Sequence, residues 1–444
     1  MSREMVKMMD LIQQITMGPF GSDITVDNFI EEGVPVLNGS NINGVKLTEE
    51  SFRYVSKEKA ILLKKANTKR GDIVITHRGT LGQIAYIPED SKYDNYIISQ
   101  SQFRVTLKTE LVDPIYFTYY FHTSEGQKRL LSFKNHVGVP ALAQATTNFR
   151  LLEFPYRPLQ TQKAIAKVLS DLDAKIELNN KINAELEAIA KLIYDYWFVQ
   201  FDFPNPQGKP YKSSGGKMVF NQELKRDIPE GWEVKVINSM IDVKDGTHDS
   251  PKPKEEGYRL ITSKHLKPEG LDFEKANYIS EEDYIAINKR SQVDTGDILF
   301  SMIGNIGTVY KIEEEIIDFA IKNVALYKTS QHQDLKNYIY MFLKGHDMQR
   351  YMGNVISGSI QKFIGLGSLR KMPILFNQCL IDKFEIETKP IFKKSNNLKL
   401  QNQKLSELRD WLLPMLMNGQ VTVGEVEEEV QMNMAAEPRE KYGE

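Results

Sequence analysis

An internal repeat is the feature that most constrains what this chain can fold into. Two stretches, beginning at Lys69 and at Asp294, keep a constant register of 225 residues. In both stretches a Gly-Asp pair enters an apolar run that ends in a Gly-x-x-Gly turn, and the matched residues are Gly71 and Gly296, Asp72 and Asp297, Gly79 and Gly304, and Gly82 and Gly307. A repeat that holds its register in this way indicates a tandem duplication. We therefore expect two similar units of about 220 residues each.

Length and composition agree with a globular, multi-domain chain. The 444 residues are too many for one core at roughly 150 residues per domain. The sequence is 41% hydrophobic and 26% charged, which is typical of folded proteins. The single cysteine, Cys379, excludes an internal disulfide and a cysteine-cluster metal site.

Net charge limits the surfaces that this chain can present. The formal charge of −2 excludes a uniformly basic coat for nucleic acid. The segment from Asn418 onward carries seven acidic side chains against only Arg439 and Lys441. The rest of the chain is therefore near +3, which permits local basic surfaces. We interpret the acidic end as a solvated tail.

Targeting signals and catalytic motifs are both missing. No apolar run approaches the roughly 20 residues that span a bilayer, and the N-terminus has no secretory pattern, so we predict a cytoplasmic protein without a membrane partner. The sequence contains no Walker lysine loop, no complete Gly-x-Gly-x-x-Gly and no His-Glu-x-x-His. It also lacks the Asn/Asp-Pro-Pro-aromatic tetrapeptide of amino-methyltransferases. We therefore predict a chain that is not an enzyme on its own.

The first part of each unit favours short strands. Gly-Asp before an alternating apolar run is typical of a turn that enters a strand. We interpret the paired glycines as turn positions that need a positive φ. Close approach of the backbone to a ligand is the alternative interpretation.

The second part of each unit has the heptad spacing of a coiled-coil seam. About 33 residues from Ile165 to Trp197 would form a helix of about 50 Å, which is long enough to need an outside partner for its apolar stripe. Asn179, Asn183 and Gln401 are polar seam residues, which typically fix register. Two ordinary amphipathic helices, each packed on its own domain, are the alternative. Pro390 predicts a kink or a delayed start in the second helix.

These patterns, with the Pro- and Gly-rich segment that follows Asp202, divide the chain into six parts. The predicted boundaries are 1–159 for the first β-rich domain, 160–199 for the first helical region, 200–227 for a linker, 228–377 for the second β-rich domain, 378–418 for the second helical region and 419–444 for the acidic tail.

This layout resembles the specificity subunit of Type I restriction–modification enzymes. The resemblance lies in Ile228-Pro-Glu-Gly-Trp-Glu233, in the duplicated Gly-Asp strand and Gly-x-x-Gly turn, and in the helix that ends at Leu412-Leu-Pro-Met-Leu-Met-Asn-Gly-Gln-Val421. It implies an α+β fold with two tandem, β-rich, mixed α/β recognition domains joined by two long antiparallel coiled-coil helices.

The resemblance also implies a function in phage defence. Each domain would read one half of a bipartite, asymmetric site in double-stranded DNA, and the helices would set the spacer between the halves. Two modification subunits would bring S-adenosylmethionine for DNA methylation, and restriction subunits would bring ATP and Mg²⁺. None of these cofactors would bind this chain directly.

Polar loop residues are the candidates for base contacts, because sequence is read by hydrogen bonds to base edges. They are Asn38, Ser40, Asn41, His77, Arg78 and Thr80 in the first domain, and His248, Ser263, Lys264, His265, Ser301 and Asn305 in the second. His77 is alternatively a half-buried turn residue. Arg104 lies in a predicted strand, where an outward orientation is as plausible as a base contact.

Apolar seam residues are the candidates for helix pairing and partner docking. They are Ile165, Leu172, Ile176, Leu186, Ile193, Trp197, Leu398, Leu405, Leu408 and Leu412. The dense aromatic segment from Tyr194 to Phe203 is predicted to pack on the second domain or on the opposite helix, and docking of a modification subunit is the alternative. Two rival functions stay open: a degenerate endonuclease or methyltransferase, and an adaptor whose modules bind protein.

Overall fold

The protein was described from a computed structural model that covers residues 4–135, 140–267, 270–358 and 362–425. Most of the predicted acidic tail, from residue 426 on, lies outside these residues. The described chain forms two compact units, of which unit 1 comprises residues 4–177 and 402–425 and unit 2 comprises residues 178–401. The predicted boundaries placed the long helices outside the recognition domains, whereas packing places a part of each long helix inside each unit.

Unit 1 is built from short strands and helices around two sheets. Its strands are β1 (Glu4–Lys7), β2 (Ile12–Met17), β3 (Phe29–Ile30), β4 (Val34–Val36), β5 (Arg53–Val55), β6 (Asn67–Thr68), β7 (Ile73–Thr76), β8 (Ile84–Tyr86), β9 (Tyr96–Ile97), β10 (Gln102–Leu107), β11 (Lys134–Asn135), β12 (Ala141–Leu142) and β13 (Glu153–Tyr156). Its helices are α1 (Met8–Leu11), α2 (Lys57–Leu62), α3 (Pro114–Phe121), α4 (Ser124–Leu130), α5 (Ala145–Leu151) and the beginning of α6 (Leu159–Tyr194).

The main sheet of unit 1 has the order β2-β10-β7-β8, and all of its pairings are antiparallel. A second sheet has the order β3-β5-β4-β9-β6. The main apolar core combines the sheet with α3, α5 and the two long helices, and its largest side chains include Phe103, Phe117 and Phe149. The ring centroids of Phe103 and Phe149 lie 5.4 Å apart in an edge-to-face arrangement, which is favourable for aromatic pairs.

Unit 2 repeats this plan. Its strands are β14 (Met218–Asn221), β15 (Arg226–Pro229), β16 (Glu233–Val236), β17 (Val243–Asp245), β18 (Tyr258–Thr262), β19 (Asn277–Ile279), β20 (Ile298–Ser301), β21 (Val309–Lys311), β22 (Phe319–Lys322), β23 (Val324–Tyr327) and β24 (Pro373–Phe376). Its helices are the end of α6, α7 (Glu281–Ser291), α8 (Lys336–Lys344), α9 (His346–Val355), α10 (Leu366–Arg370) and most of α11 (Gln378–Asn418).

The sheets of unit 2 confirm the duplication. The order β17-β23-β20-β21 matches that of the main sheet of unit 1. In the β-hairpin of each unit, Ile73 lies opposite Tyr86 and Ile298 lies opposite Lys311, so the pairing keeps the 225-residue register. A parallel pairing of β4 with β9 in unit 1 corresponds to that of β18 with β22 in unit 2.

The paired glycines have the backbone conformation that the turn interpretation requires. The φ angles are +80° and +91° at Gly71 and Gly296, and +86° and +89° at Gly82 and Gly307. Residues that have a side chain rarely adopt these φ angles, whereas glycine does so without steric cost. This interpretation of the repeat is therefore confirmed.

Each unit buries the aspartate of its Gly-Asp pair against a cation. Asp72 is 1% exposed, and its Oδ2 lies 3.4 Å from Nη1 of Arg104. Asp297 is fully buried, and its Oδ2 lies 2.5 Å from Nζ of Lys328. Arg104 lies in a strand, as one of its two alternatives proposed, but the outward orientation of that alternative is wrong, because the guanidinium turns inward to neutralise the buried carboxylate.

The two long helices pair antiparallel within each unit. In unit 1, Nη1 of Arg409 on α11 lies 2.7 Å from Oδ1 of Asp173 on α6. In unit 2, Asn179 Nδ2 donates to Gln401 Oε1 at 2.8 Å, so two of the predicted polar seam residues do meet. Near the contact of Arg409 with Asp173, Leu172 and Leu408 pack against the core of unit 1. The coiled-coil prediction is confirmed, and packing on each helix's own domain alone is not observed.

Pro390 does not delay the second helix. Helix α11 begins at Gln378 and continues through Pro390 to Asn418. A proline inside a helix leaves the carbonyl of the residue four positions earlier without its N–H donor. That residue is Ile386, which is 70% exposed, so the missing bond falls on an exposed face of the helix. The expected delay was therefore wrong.

The aromatic segment after α6 forms part of the core of unit 2. A π-helical turn, Asp195–Val199, ends the helix. Tyr194, Trp197 and Phe198 are buried against Phe384 and Tyr338, which confirms the packing interpretation.

The predicted linker 200–227 is more ordered than expected. It contains β14, which pairs with β15, and Asp202 accepts hydrogen bonds from Ser213. Phe203 also stacks on Trp232 of unit 2, with a ring-centroid distance of 5.4 Å. The aromatic residues among the prolines thus anchor this segment.

None of the helices in the described part of the chain combines the length and the apolarity that crossing a bilayer requires.

Candidate nucleic-acid interface

Loops from several strands meet at one end of the main sheet of unit 1. Strands β2 and β7 end there, and β10 and β8 begin there, because neighbouring strands are antiparallel. Gln83 Nε2 donates to Gly39 O at 3.0 Å and to Asn43 Oδ1 at 2.8 Å, which ties the Gly-x-x-Gly turn to a 3₁₀ turn at Gly39–Ile42. We name residues 18–25, 38–43, 77–83 and 99–101 the loop end of unit 1. All first-domain base-contact candidates lie in it.

Unit 2 has an equivalent cluster. His248 Nδ1 lies 2.9 Å from Asn323 Oδ1, and Ser263 Oγ donates to Asn323 O at 2.9 Å. Ser301 pairs with Val324, the next residue after Asn323, so the second Gly-x-x-Gly turn lies beside them. We name residues 246–250, 262–265, 301–308 and 322–323 the loop end of unit 2. It contains all second-domain candidates.

A further pair of glycines, which the repeat did not predict, shapes both loop ends. Gly18 follows β2, and its N–H donates to Gln102 O at 2.8 Å; Gly246 follows β17, and its N–H donates to Val324 O at 3.0 Å. A Cβ atom on either glycine would lie well under 3.0 Å from a backbone carbonyl oxygen, closer than real Cβ contacts. Only glycine allows the chain to leave the strand here. The sequence signal that identifies such a position is a glycine directly after an alternating apolar run.

Asn41 and His265 hold the 3₁₀ turns from inside. Asn41 is fully buried; its Oδ1 accepts from the N–H of Asn38 at 2.9 Å, and its Nδ2 donates to two backbone carbonyls. His265 is 2% exposed, and its Nδ1 accepts from the N–H of Thr262 at 3.0 Å. Burial lowers the pKa of His265, which favours the neutral ring that can accept this bond. The structure contradicts the prediction that these two side chains contact bases.

Ser263 and Ser301 are also turned inward. Ser301 is fully buried; its Oγ donates to the carbonyl of Asn305 and accepts from the N–H of Thr308 at 2.9 Å. Ser263 is 8% exposed and donates to the Asn323 carbonyl. Both hydroxyls satisfy loop backbone groups, so their prediction as base contacts also conflicts with the structure.

The other candidates remain accessible. Ser40, Arg78, Thr80, His248, Lys264 and Asn305 are exposed, and Asn38 and His77 are half-buried. Asn38 Oδ1 accepts from the N–H of Ser40 at 2.8 Å, so part of its amide is occupied. These side chains present different donors and acceptors in the two units. Their contact with bases stays a prediction.

His77 matches the alternative interpretation of a half-buried turn residue. Its Nε2 lies 3.2 Å from the carbonyl of Gln100, to which the ring N–H donates. Burial lowers the pKa of His77, so the ring is neutral at pH 7. His77 thus offers one nitrogen at most to a ligand.

The sequence analysis did not identify two residues of the loop ends, the exposed Phe20 and the half-buried Asn323. Phe20 is 82% exposed, and its N–H donates to Asp23 Oδ2 at 2.8 Å. Asn323 has a φ of +54°, a conformation that few residues other than glycine and asparagine tolerate. Nothing in a polar loop sequence distinguishes these positions before the strand order is known.

The seam candidates are mostly covered by the protein itself. In unit 1, Ile165 and Leu412 are buried, and Leu172, Ile176, Leu405 and Leu408 are half-buried. In unit 2, Trp197 and Leu398 are buried, and Leu186 and Ile193 are half-buried. Their roles in helix pairing and in partner docking stay predictions. The large apolar side chains that the long helices expose are different ones, namely Leu178, Ile189, Leu192, Ile386, Leu400 and Trp411.

Comparison with known proteins places this chain in a family. The family described as the Type I restriction modification DNA specificity domain matches residues 23–188 and again residues 229–376. The MjaIX specificity subunit from Methanocaldococcus jannaschii is 26% identical over 400 residues, which cover 86% of each chain. The HindI specificity subunit from Haemophilus influenzae is 22% identical and covers 80% of this chain and 87% of its own.

A solved structure shares the fold. The S subunit of a Type I restriction–modification system from M. genitalium superimposes with a TM-score of 0.55 at 15% identity, and the match covers 94% of this chain and 96% of that one. Two matches of the same domain family, in the two halves that the repeat defines, cover well over half of the sequence. The chain therefore belongs to the Type I restriction modification DNA specificity family.

Proposed function

We propose that this chain is the DNA-reading subunit of a Type I restriction–modification complex, and that each loop end reads one half of a bipartite site. The observation that carries this proposal is the duplicated loop end. The same strands, glycines and 3₁₀ turn recur in both units, while the exposed side chains differ. One framework with two sets of polar side chains suits the recognition of two unlike short sequences.

Base-edge hydrogen bonds supply the specificity in this proposal. Arginine and lysine pair with guanine, and asparagine pairs with adenine. Among the predicted candidates, the exposed residues of these types are Arg78 at the loop end of unit 1, and Lys264 and Asn305 at that of unit 2. A net charge near zero gives weak phosphate binding, so partner subunits contribute much of the affinity.

The long helices have two roles in the proposal. Their antiparallel pairing gives a rigid element that sets the spacer between the half-sites. Their exposed apolar residues, which include Leu192 at 65% exposure and Trp411 at 46%, are suited to dock two modification subunits. The methyltransferase centre with S-adenosylmethionine, and the restriction subunits with ATP and Mg²⁺, belong to those partners.

A domain exchange tests the proposal. The segment Gly18–Arg150 is replaced with the matching segment of the MjaIX specificity subunit, and the chain is assembled with its modification subunits. Methylated positions are then mapped base by base in genomic DNA. We expect one half of the methylated motif to change while the other half and the spacer stay the same. A motif that changes in both halves, or in neither, would contradict modular recognition.

Two controls separate the rival functions. The purified chain, incubated with DNA and labelled S-adenosylmethionine without partners, is expected to transfer no methyl group; transfer would favour a degenerate methyltransferase. The assembled complex is expected to retain one DNA sequence over others in a pull-down. Complete indifference to sequence would favour the protein-binding adaptor.

A further inference from the structure

A buried carboxylate at the loop end of unit 2 holds two exposed side chains. Asp245 is the last residue of β17, and its side chain is 3% exposed. Its Oδ1 contacts Nη2 of Arg290, and its Oδ2 lies 2.8 Å from Nε2 of His248. Both oxygens of this buried group are thus used, and both partners come from outside the core.

The contact orients its partners more than it stabilises the fold. The side chains of Arg290 and His248 are 59% and 64% exposed, and ion pairs with partners so exposed contribute little stability. A carboxylate that is itself buried cannot rotate to follow them. The pair of oxygens therefore fixes where the guanidinium and the imidazole lie.

Arg290 is also held through its backbone. It lies in the last turn of α7, whose Ile287 is 9% exposed and packs beside Ala320. Tyr284 of the same helix stacks on Tyr258 with a ring-centroid distance of 3.9 Å. Because α7 is anchored by these contacts, Arg290 extends from a rigid element toward the end of β17.

The guanidinium retains donors for a ligand, whereas the imidazole does not. The contact with Asp245 uses one of the five N–H groups of Arg290, and the described residues offer no other partner for it. The two ring nitrogens of His248 are both engaged, one by Asp245 and the other by Asn323. His248 therefore has no ring nitrogen left for a base edge.

Unit 1 has no equivalent of this arrangement among its described residues. In β2, Met17 pairs with Phe103, which also lies opposite Ile75. In β17, Asp245 pairs with Ala325, which also lies opposite Phe300. Ile75 and Phe300 are matched residues of the 225-residue repeat, so Met17 is the residue of unit 1 that corresponds to Asp245. A methionine cannot accept a charged hydrogen bond of this kind. The arrangement thus distinguishes the second loop end from the first.

We propose that Arg290, oriented by Asp245, reads a guanine in the half-site that unit 2 binds. A guanidinium held in one plane presents two parallel N–H groups to O6 and N7 of guanine, a pattern that no other base edge offers in the major groove. This inference rests on the proposed function and names one reader and one base within it.

The test uses the complete chain assembled with its modification subunits. Arg290→Ala and Asp245→Asn are compared with Lys289→Ala, which removes the neighbouring exposed cation of the same helix. Methylation is measured on a library in which every base pair of the native site is varied singly. The first half-site, read by the same molecule, reports whether each variant is folded and assembled.

We expect Arg290→Ala to lose roughly 5- to 150-fold of its discrimination at one G·C pair of the second half-site. Asp245→Asn should relax the same position to a smaller extent, and Lys289→Ala should leave the specificity unchanged. A uniform loss of methylation at all sequences, or unchanged specificity in Arg290→Ala, would overturn the inference. Absence of any sequence preference in the wild-type complex would instead refute the proposed function itself.

Discussion

The buried ion pair of unit 2 allows a quantitative prediction. Asp297→Asn removes the charge that neutralises Lys328, whose side chain is 3% exposed, while it keeps the shape of the side chain. Removal of one partner of a buried ion pair typically costs about 3–5 kcal/mol, because the other charge stays buried without compensation. Lys328 Nζ also lies 2.6 Å from Asp294 Oδ2 and donates to Gln292 O at 3.1 Å. These remaining partners place the expected cost at the lower end, at about 3 kcal/mol.

Two further variants separate burial from charge. Asp294→Asn removes a carboxylate that is 47% exposed, so it should cost less than about 1 kcal/mol. The double variant Asp297→Asn with Lys328→Met removes both charges and should recover most of the loss, because an apolar substitute for a buried pair is often neutral.

Urea unfolding, followed by tryptophan fluorescence, measures these differences in unit 2. Trp197 and Trp232 are both buried in its core, so their emission reports its unfolding. The free energies of unfolding are compared between variants that have the same m value, which is the slope of the free energy of unfolding with urea concentration. If Asp297→Asn costs no more than Asp294→Asn, or if the double variant is less stable than Asp297→Asn, the reasoning from burial is wrong.

Three other predictions follow from burial and steric contact. Burial raises the pKa of Glu385 from its ordinary 4.5 to about 7, so the folded protein holds this proton more tightly and loses stability as the pH rises from 4.5 to 7. Glu385→Gln should therefore match the wild type in urea midpoint near pH 5 and exceed it at pH 8; equal midpoints at pH 8 would contradict this. Leu412→Ala, at a side chain 1% exposed in unit 1, should lower the free energy of thermal unfolding by about 2–5 kcal/mol, against less than half of that for the exposed Leu400→Ala. Gly18→Ala places a Cβ against a carbonyl oxygen and should cost about 1–3 kcal/mol and weaken methylation at the first half-site, while Gly44→Ala, whose Cβ meets nothing closer than 3.6 Å, should do neither.

Features that repeat or alternate along the chain could be predicted from the sequence. The 225-residue register predicted two similar units, whose main sheets share one strand order, and the heptads predicted a helix seam, in which Asn179 and Gln401 meet. Both signals arise because burial selects apolar residues at regular intervals.

The site could be predicted only as a set of loops. Asn41 and Ser40 are adjacent polar residues, yet Asn41 is buried and its side chain accepts from the N–H of the capping residue Asn38, whereas Ser40 is exposed. That difference depends on the carbonyls that the fold brings to Asn41, which its neighbours in sequence do not reveal. Asp245 and Arg290 likewise meet only because α7 packs beside β17.

The borders of the units could not be predicted because they follow packing and not chain order. A part of each long helix lies in each unit. The last part of α11 and the residues that follow it, 402–425, are grouped with residues 4–177. Heptad spacing shows which helix face is apolar, but it does not show which domain covers that face.

Unit 1 contains two separate parts of the chain, and this has a consequence for its synthesis. Leu416 and Met417 fill its core beside Ile165 and Leu169, and Arg157 Nη2 donates to the carbonyl of Met417 at 3.1 Å. A ribosome that adds 5–20 residues per second needs about 10 to 45 s to proceed from residue 177 to residue 402. During that interval the part of the core that Leu416 and Met417 fill is missing. A ribosome that stalls before residue 402 therefore leaves the N-terminal half unfinished as well.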